Sequence, residues 1–253
     1  MQPWNQVLFP DLQIDQMQLQ VFDSKTLSYA YLPTSGRPKL YVCGITPYDA
    51  THMGHAATYV AFDTLLRIWR TLGADVQYAQ NVTDIDDPLL DRAKLTGRSW
   101  QEIALEQTEL FKSDMMALRV IAPQHYIGVV ESMEIIEQSV VRLVELGIAY
   151  RVDDDYYFDM THTDLLGQIS HLSMAARLEI FALRGGDPHR LGKRNSFDAL
   201  LWRAQSGEDP YWPSGLGPGR PGWHIECSAI ATRYLGPQIT VQGGGSDLKF
   251  PHH

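Results

Sequence analysis

Cysteine is scarce in this sequence of 253 residues, which contains only Cys43 and Cys227. Two cysteines so far apart do not form the disulfide framework of a small secreted protein, so a reducing compartment is the better interpretation. No apolar run reaches the roughly 18 residues of a membrane-spanning helix. The first residues, MQPWNQVLFPDLQIDQ, also lack the charged start and apolar centre of a signal peptide. We therefore expect a cytoplasmic protein with no membrane partner.

Positive charge is also in short supply, with 21 Lys and Arg against 30 Asp and Glu and a net charge of −9. This balance argues mildly against nucleic-acid binding as the main function, although a local basic patch remains compatible with it. The chain has no Walker A loop, so nucleotide binding cannot be claimed from that motif. It has no internal repeats either. Its length fits one large domain or two small ones, and we expect a monomer.

A strand, a helix and a second strand follow one another early in the chain. Lys39–Cys43 is a short apolar run typical of a buried strand, and Val76–Val82 is another. Between them, apolar residues recur at helical spacing from Gly54 to Leu72, and Gly73 ends the helix. Such a βαβ unit predicts a parallel sheet.

The remaining pattern predicts that this α/β domain is interrupted by a mostly helical insertion. The predicted elements are a helix with a capping box from Ser99 to Glu102, a helix over about Gly128–Leu146, a hairpin over Ala149–Asp159, a turn-rich stretch over residues 160–222, a helix over about Trp223–Leu235 and a strand over Ile239–Gln242.

Three residues with metal-binding side chains stand near the ends of predicted elements. Cys43 ends a strand, Cys227 lies in a helix, and His252 follows the last strand and its loop. Ligands of an open parallel sheet bind beyond the carboxyl ends of its strands, and two thiolates and an imidazole are good zinc ligands. The spacing contains no C-x-x-C pair, so two buried core thiols are the alternative interpretation.

His52-Met53-Gly54-His55 lies at the start of the first predicted helix. The N–H groups and dipole of a helix N-terminus favour phosphate. Two imidazoles there could donate hydrogen bonds to a transferring phosphoryl group or a leaving pyrophosphate. The alternative is a pair of histidines that only cap the helix.

Carboxylates and glycines offer two further candidate sites. Asp84, Asp86 and Asp87 could bind Mg²⁺, but aspartates before a Pro-led helix are more often caps. Gly243–Gly245 could bring the backbone close to a ribose whose hydroxyls donate to Asp247, or it could be a simple turn.

Four segments, in this order, resemble the catalytic core of the class I cysteinyl-tRNA synthetase group. They are CGITPYDATHMGHA, NVTDIDD, GRPGWHIECSAI and GGGSDLKFPHH. The resemblance extends from about Lys39 to the last residue, and the segment His52 to His55 matches the HIGH signature of the group. It implies a Rossmann-like (HUP, class I synthetase) nucleotide-binding domain. It also implies an enzyme that converts cysteine and ATP, with Mg²⁺, into cysteinyl-adenylate and pyrophosphate.

The same resemblance implies a set of site residues. Cys43, Cys227 and His252 would bind one zinc ion that holds the substrate thiol, and His52 and His55 would contact the ATP phosphates. Zinc prefers a thiolate to a hydroxyl, whereas a shape pocket gains only about 1–3 kcal/mol from one methylene. The implied contacts to cysteinyl-adenylate are Cys43, Gly44, Ile45, Thr46, Thr58, Asn81, Val82, Thr83, Trp223, Gly245, Ser246 and Asp247.

The group has two branches, which differ in their acceptor. One charges tRNA, and the other, in the mycothiol pathway, joins cysteine to the amine of glucosaminyl-inositol and releases AMP. The tRNA branch reads CGPTVY where this chain has Ile45 and Pro47, Arg where it has Ala57, and Lys where it has Pro88. LRGGDP, Leu183–Pro188, resembles the ligase segment ERGGDP with Leu183 in place of Glu. These departures favour the ligase branch, with ATP, L-cysteine and glucosaminyl-inositol as partners and no nucleic acid.

Two other functions remain as alternatives. The first is a cysteinyl-tRNA synthetase fragment, and the second is a non-catalytic module that binds zinc or nucleotide. The intact histidines and candidate zinc ligands argue against the second. For the ligase, Asp86 or Asp87 would orient the acceptor amine or accept its proton, a hypothesis based on their place beside Thr83.

The resemblance also predicts how the chain is divided. A KMSKS-type loop would lie beyond residue 253, so we expect these residues to be the N-terminal catalytic part of a longer protein. The predicted segments are an N-terminal extension over 1–37, the first half of the catalytic domain over 38–120, a helical or mixed connective-peptide-like insertion over 121–205, and the second part of the catalytic domain over 206–253.

Overall fold

The computed structural model describes residues 1–8, 10, 12, 14 and 17–253. Five residues of the predicted N-terminal extension lie outside the described residues: Phe9, Asp11, Gln13, Asp15 and Gln16. The chain divides into two compact units. The first unit comprises Met1–Phe22, Ser28–Glu131 and Ile230–Gly245, and the second comprises Asp23–Leu27, Ser132–Ala229 and Ser246–His253.

The described residues form both strands and helices. In order they are β1 (Leu19–Asp23), β2 (Ser28–Leu32), β3 (Lys39–Val42), α1 (Met53–Thr71), β4 (Gln77–Val82), α2 (Asp87–Thr96), α3 (Trp100–Ala117), β5 (His125–Gly128), α4 (Met133–Glu145), β6 (Ala149–Val152), β7 (Asp155–Phe158), α5 (Met174–Leu183), β8 (Ala199–Ala204), β9 (Gly219–Pro221), α6 (Trp223–Leu235) and β10 (Val241–Gly243). Among the described helices, none is long and apolar enough to cross a membrane.

The first unit contains a four-stranded parallel sheet in the order β10-β3-β4-β5. Strands β3, β4 and β5 are almost wholly buried, as expected when helices cover a parallel sheet, whereas the edge strand β10 exposes Gln242. Helix α1 connects β3 to β4 and packs Tyr59, Leu65, Leu66 and Trp69 into the core with Leu40 and Val42 of β3. The predicted βαβ unit and the α/β fold class are therefore confirmed.

The helix predicted over about Gly128–Leu146 is present as α4, which begins at Met133, and one predicted cap is wrong. His125–Gly128, just before that helix, forms strand β5, which the sequence pattern did not predict. The strand exists because it pairs in parallel with β4, a long-range contact that four residues of local pattern do not show. Ser99 stands at the N-cap of α3 but makes no capping hydrogen bond with its side chain. Its hydroxyl donates instead to Gln101 Oε1 at 2.7 Å.

The second unit contains an antiparallel sheet in the order β6-β7-β8-β9. The predicted hairpin is present as β6 and β7, with Asp153 in the left-handed region at φ 54°. Residues 160–222, predicted to be turn-rich, also contain α5, β8 and β9. A separate apolar cluster joins Phe181 of α5 to Phe197 and Phe250.

Candidate active-site residues

Cys43 lies at the carboxyl end of β3, where the chain leaves the parallel sheet. Its backbone N–H donates to the carbonyl of Gly243 at the end of β10, at 2.9 Å. Its carbonyl accepts a hydrogen bond from the hydroxyl of Tyr59 on α1, at 3.1 Å. The side chain is buried and makes no disulfide. Sheet pairing and α1 therefore determine together where this thiol lies.

Asn81 organises the backbone just beyond Cys43. Its Oδ1 accepts hydrogen bonds from the N–H of Gly44 at 2.8 Å and from the hydroxyl of Tyr41 at 3.0 Å. Its Nδ2 donates to Thr83 Oγ1 at 3.1 Å. A Cβ atom at position 44 would lie 1.6 Å from the carbonyl oxygen of Asn81, so only glycine fits there. Three of the candidate adenylate contacts, residues 44, 81 and 83, thus form one buried network.

Two other candidate adenylate-binding residues, Ile45 and Val82, have only backbone groups available for a ligand. The side chains of Ile45 and Val82 are buried in the core of the first unit. The Ile45 carbonyl accepts a hydrogen bond from the N–H of Thr83, and the Thr46 carbonyl accepts one from the N–H of Tyr48, both at 2.9 Å. Contacts of a ligand with residues 45 and 82 would therefore use backbone groups.

His52 and His55 cap helix α1 reciprocally. His52 is the N-cap, and its Nδ1 accepts from the N–H of Gly54 at 3.0 Å. His55 Nδ1 accepts from the N–H of His52 at 3.2 Å, which completes a capping box built from two imidazoles. A backbone N–H can only donate, so each Nδ1 carries a lone pair and a neutral ring carries its proton on Nε2. The capping interpretation is thus confirmed, and it leaves each ring with a donor on its other nitrogen.

Thr58, one turn further along α1, is half-buried. Its hydroxyl donates to the carbonyl of Gly54 at 3.1 Å, the back-bonding common for threonine in helices.

The acidic run after β4 is used for local structure. Asp84 Oδ1 accepts from the N–H of Val130 at 2.9 Å, and burial raises the pKa of this carboxyl. Asp86 is the N-cap of α2 and accepts from the N–H of Asp87 at 2.8 Å. Within the described part of the chain these three aspartates do not form a metal-ligating group. The structure supports the capping interpretation for Asp86.

In the second unit, His252 lies among aromatic rings. The Trp223 ring stacks on it with centroids 4.7 Å apart, and His224 Nδ1 lies 2.9 Å from His252 Nδ1. Burial, with a contribution from His252, lowers the pKa of His224 to about 3 and that of His253 to about 4. Both rings are therefore neutral near pH 7. Cys227, one turn after Trp223 and His224 on α6, is buried and makes no disulfide.

The last candidate contacts lie in the turn after β10. Ser246 and Asp247 begin a short 3₁₀ turn, Ser246–Lys249, and both are exposed. The carbonyl of Asp247, rather than its carboxylate, accepts a hydrogen bond from the guanidinium of Arg184.

Sequence reasoning missed two residues that contact this region. His224 and Cys227 stand three positions apart on α6, so a search for histidine and cysteine one helical turn apart would have found His224. Arg184 belongs to the LRGGDP segment, but no local pattern shows its partners, which are backbone carbonyls more than sixty positions away.

Cys43 of the first unit and Cys227 and His252 of the second each offer one atom that could bind a metal ion. Two thiols and one imidazole suit zinc, which binds thiolate and neutral imidazole. Neutral imidazoles at His224 and His253 add no positive charge beside such an ion. The residues present therefore fit zinc. Three protein ligands would leave a fourth position for a substrate, as in catalytic zinc sites.

A parallel sheet with a helix N-terminus after its first strand is the arrangement of the Rossmann-like class of folds, many of which bind nucleotides at that position. The family model for the class I (C) tRNA synthetase catalytic domain matches residues 32–253. The chain belongs to this family, whose members use ATP with Mg²⁺ and bind an amino acid. In solved structures, it is similar to methionyl-tRNA synthetase of Mycobacterium tuberculosis in complex with methionyl-adenylate. The TM-score is 0.63 and the identity 16%, over 84% of this chain and 52% of that one, so this likeness shows the fold alone.

Curated relatives resemble the chain more strongly and share one name, L-cysteine:1D-myo-inositol 2-amino-2-deoxy-alpha-D-glucopyranoside ligase. The protein of Salinispora tropica is 56% identical over 93% of this chain and 59% of its own length. The protein of Frankia casuarinae is 55% identical over 93% of this chain and 51% of its own length. The protein of Renibacterium salmoninarum is 52% identical over 100% of this chain and 64% of its own length. The chain thus spans between about half and two thirds of the length of these relatives.

Proposed function

We propose that this protein activates L-cysteine with ATP and transfers the cysteinyl group to the amine of glucosaminyl-inositol. The observation that carries the proposal is the donor set of Cys43, Cys227 and His252, in a chain at least 52% identical to the three ligases above. Those relatives are longer than the chain, so activity, substrates and partners are proposed here for the whole protein.

Zinc is the metal that these three residues would hold, one ion per chain. When bound, it supplies a Lewis-acid position that accepts a thiolate far better than an alcohol. Cysteine is then selected over serine because its thiolate is the better zinc ligand. A pocket that discriminates by shape alone rejects a side chain of similar size only weakly. The Trp223 ring, stacked on His252, would form a wall beside the bound cysteine.

In the first step, the cysteine carboxylate attacks the α-phosphate of ATP, and pyrophosphate leaves. The two histidines of the capping box lie at the N-terminus of α1, where backbone N–H groups and the helix dipole favour anions. Each neutral ring has its proton on Nε2 and can donate it to a phosphate oxygen while Nδ1 keeps the cap. Mg²⁺ would accompany the ATP.

Cysteinyl-adenylate would lie along the carboxyl ends of β3 and β4. Gly44 lets the chain beyond β3 pack directly against the carbonyl of Asn81, and residues 45 and 82, whose side chains are buried, would contact the ligand through their backbone. Hydroxyls of Thr46, Thr58 and Thr83 supply polar contacts. Trp223, Gly245, Ser246 and Asp247 complete the proposed set.

In the second step, the unprotonated amine attacks the carbonyl carbon of the mixed anhydride, an amide bond forms, and AMP leaves. The amine nitrogen loses one proton in this step. We assign orientation of the amine, or acceptance of that proton, to Asp86 or Asp87 at the start of α2.

The decisive experiment offers the protein cysteine, ATP and two acceptors in parallel, glucosaminyl-inositol and cysteine tRNA. Mass spectrometry follows the products. Cysteinylated sugar with uncharged tRNA is the expected result. Charged tRNA with unmodified sugar would overturn the proposal in favour of a cysteinyl-tRNA synthetase, and a protein that makes neither product would not be a cysteine ligase.

A further inference from the structure

The segment Ser246–His253 carries His252 but has little structure of its own. It consists of a short 3₁₀ turn over Ser246–Lys249 and four more residues, and the His253 N–H donates to the Leu248 carbonyl at 3.0 Å. A ligand side chain must be held firmly to give a metal a defined geometry. The position of His252 therefore depends on what this segment contacts.

Apolar packing attaches the segment to α5. Phe250 is buried, and its ring lies 6.1 Å from that of Phe197 in an edge-on arrangement. Phe197 in turn packs 5.5 Å from Phe181, near the end of α5. This contact fixes one side chain two positions before His252, but it is not directional enough to orient the backbone.

Arg184 supplies the directional contact. Its Nη1 donates to the carbonyl of Phe250 at 2.6 Å and also to the carbonyl of Asp247. These carbonyls are three positions apart and lie on either side of the end of the 3₁₀ turn. Hydrogen bonds from a charged donor are stronger than those between neutral groups.

The LRGGDP motif explains why Arg184 stands there. Arg184 is the C-cap of α5, and Gly185 follows in the left-handed region at φ 81°. The N–H of Gly186 returns to the carbonyl of Phe181 at 2.9 Å, which makes this a Schellman turn. A Cβ atom at position 186 would lie 2.4 Å from the Phe181 ring, so glycine is required. The two glycines thus end α5 abruptly and fix the backbone from which the Arg184 side chain extends.

Asp187, near the end of the LRGGDP motif, is fixed by hydrogen bonds to two side chains. It accepts hydrogen bonds from the hydroxyl of Tyr157 on β7 and from Lys193 Nζ, the latter at 2.8 Å. The Lys193 side chain is almost wholly buried and also donates to the carbonyls of Asp187 and Ser196. The loop is therefore attached to the antiparallel sheet through Tyr157 of β7.

We propose that Arg184 is a positioning residue for the metal-binding histidine. Through the carbonyls of Asp247 and Phe250, it sets the backbone that presents His252. The inference rests on the proposed function in that it takes His252 as a zinc ligand. Leu183, which replaces the Glu of the related motif, is exposed and takes no part in this contact.

The test compares zinc affinity and backbone exchange in three variants. Arg184→Met removes the Nη1 donor and with it both hydrogen bonds, so it should weaken zinc binding about 10- to 100-fold, as loss of supporting residues around metal ligands does. Arg184→Lys keeps a charged donor on a side chain of different length and shape, so its loss of zinc affinity should be intermediate. Zinc dissociation constants come from competition with a chromophoric chelator. Hydrogen–deuterium exchange of residues 246–253 reports the backbone.

Arg177→Met is the matched control. Arg177 also lies on α5 and donates to one backbone carbonyl, that of Leu166 at 2.9 Å. Its loss should leave zinc affinity and the exchange of residues 246–253 unchanged. The proposal is overturned if Arg184→Met binds zinc as the wild type does, or if Arg177→Met weakens it equally.

A wild-type protein that binds no zinc would instead refute the metal assignment of the proposed function. Hydrogen–deuterium exchange would then still show whether Arg184 stabilises the backbone of residues 246–253. Faster exchange of residues 246–253 in Arg184→Met alone would support the contact, and unchanged exchange would refute it.

Discussion

His52 and His55 each accept a backbone hydrogen bond through Nδ1, and the two hydrogen bonds together form one capping box at the start of α1. Their rings lie 4.2 Å apart between centroids. Capping and phosphate binding are usually weighed as alternatives for such a pair. Here the cap fixes the tautomer that phosphate binding needs, so the two roles are compatible.

Substitutions that keep the cap but remove the imidazoles should separate these roles. Asn is a good N-cap and Gln serves at the third helical position of a capping box, so His52→Asn with His55→Gln should alter unfolding stability by less than about 0.5 kcal/mol. Pyrophosphate–ATP exchange should fall by about 10² or more, because the amides do not place an N–H donor where each imidazole has its Nε2. His52→Ala should also lose about 1 kcal/mol of stability in urea. An exchange rate that survives in the Asn/Gln variant would mean that the histidines only cap α1.

Metal content should distinguish His252 from its neighbour. Purified protein should contain about one zinc per chain by elemental analysis, and Cys43→Ser, Cys227→Ser and His252→Ala should each lose it, because three ligands are the minimum for a catalytic zinc site. His253→Ala serves as the control and should keep its zinc, since His253 is not part of the Cys43, Cys227 and His252 group. Equal loss from His252→Ala and His253→Ala would contradict this ligand assignment.

Gly44→Ala should be strongly destabilising. The new Cβ would lie 1.6 Å from the Asn81 carbonyl oxygen, which belongs to the central strand β4 and cannot move freely. We expect a loss of about 3 kcal/mol or more in the free energy of unfolding, measured by urea denaturation. Gly215→Ala is a suitable control, because its Cβ meets only the end of the Glu137 side chain, at 3.3 Å. If both substitutions lowered the free energy of unfolding equally, the close contact with the Asn81 carbonyl would not be the reason that position 44 requires glycine.

Asp86→Asn tests the role of this carboxylate in amide formation. Asn caps helices as well as Asp does, so α2 should keep its start while the negative charge is removed. Transfer from preformed cysteinyl-adenylate to glucosaminyl-inositol should slow by about 10², with adenylate formation unaffected. The matched Asp87→Asn variant shows which of the two carboxylates is used. Normal transfer rates in both variants would end this assignment.

The stability of the second unit should depend on pH through Asp159. Hydrogen bonds from the Thr161 hydroxyl and from Arg194 lower the pKa of this buried carboxyl from 3.8 to about 2. Because the folded-state pKa is the lower one, the stabilisation is fully present above about pH 4 and is lost as the pH falls towards 2. The stability difference between wild type and Asp159→Asn should therefore shrink over that range in urea titrations. Thr161→Val should reduce the pH dependence, and a difference that stays constant from pH 5 to about 2 would contradict the assignment.

Features that depend on nearby residues were predictable from the amino-acid pattern. The β3-α1-β4 unit, the β6-β7 hairpin and the bounds of α6 follow from apolar spacing and turn residues over a few positions. The family resemblance lies in short motifs of the same kind, which is why the candidate ligands and the histidine pair were found before the fold was known.

Other features depend on pairing between distant parts of the chain. β5 and β8 are strands because they lie beside β4 and β7, and neither shows in its own few residues. Asn81 meets Gly44 across thirty-seven positions, and Arg184 meets Phe250 across sixty-six. Local spacing carries no information about which backbone carbonyl a distant side chain will reach. The sequence thus shows which residue types are available for metal and phosphate binding. The contacts that orient these residues form only when the chain folds, because they join distant parts of it.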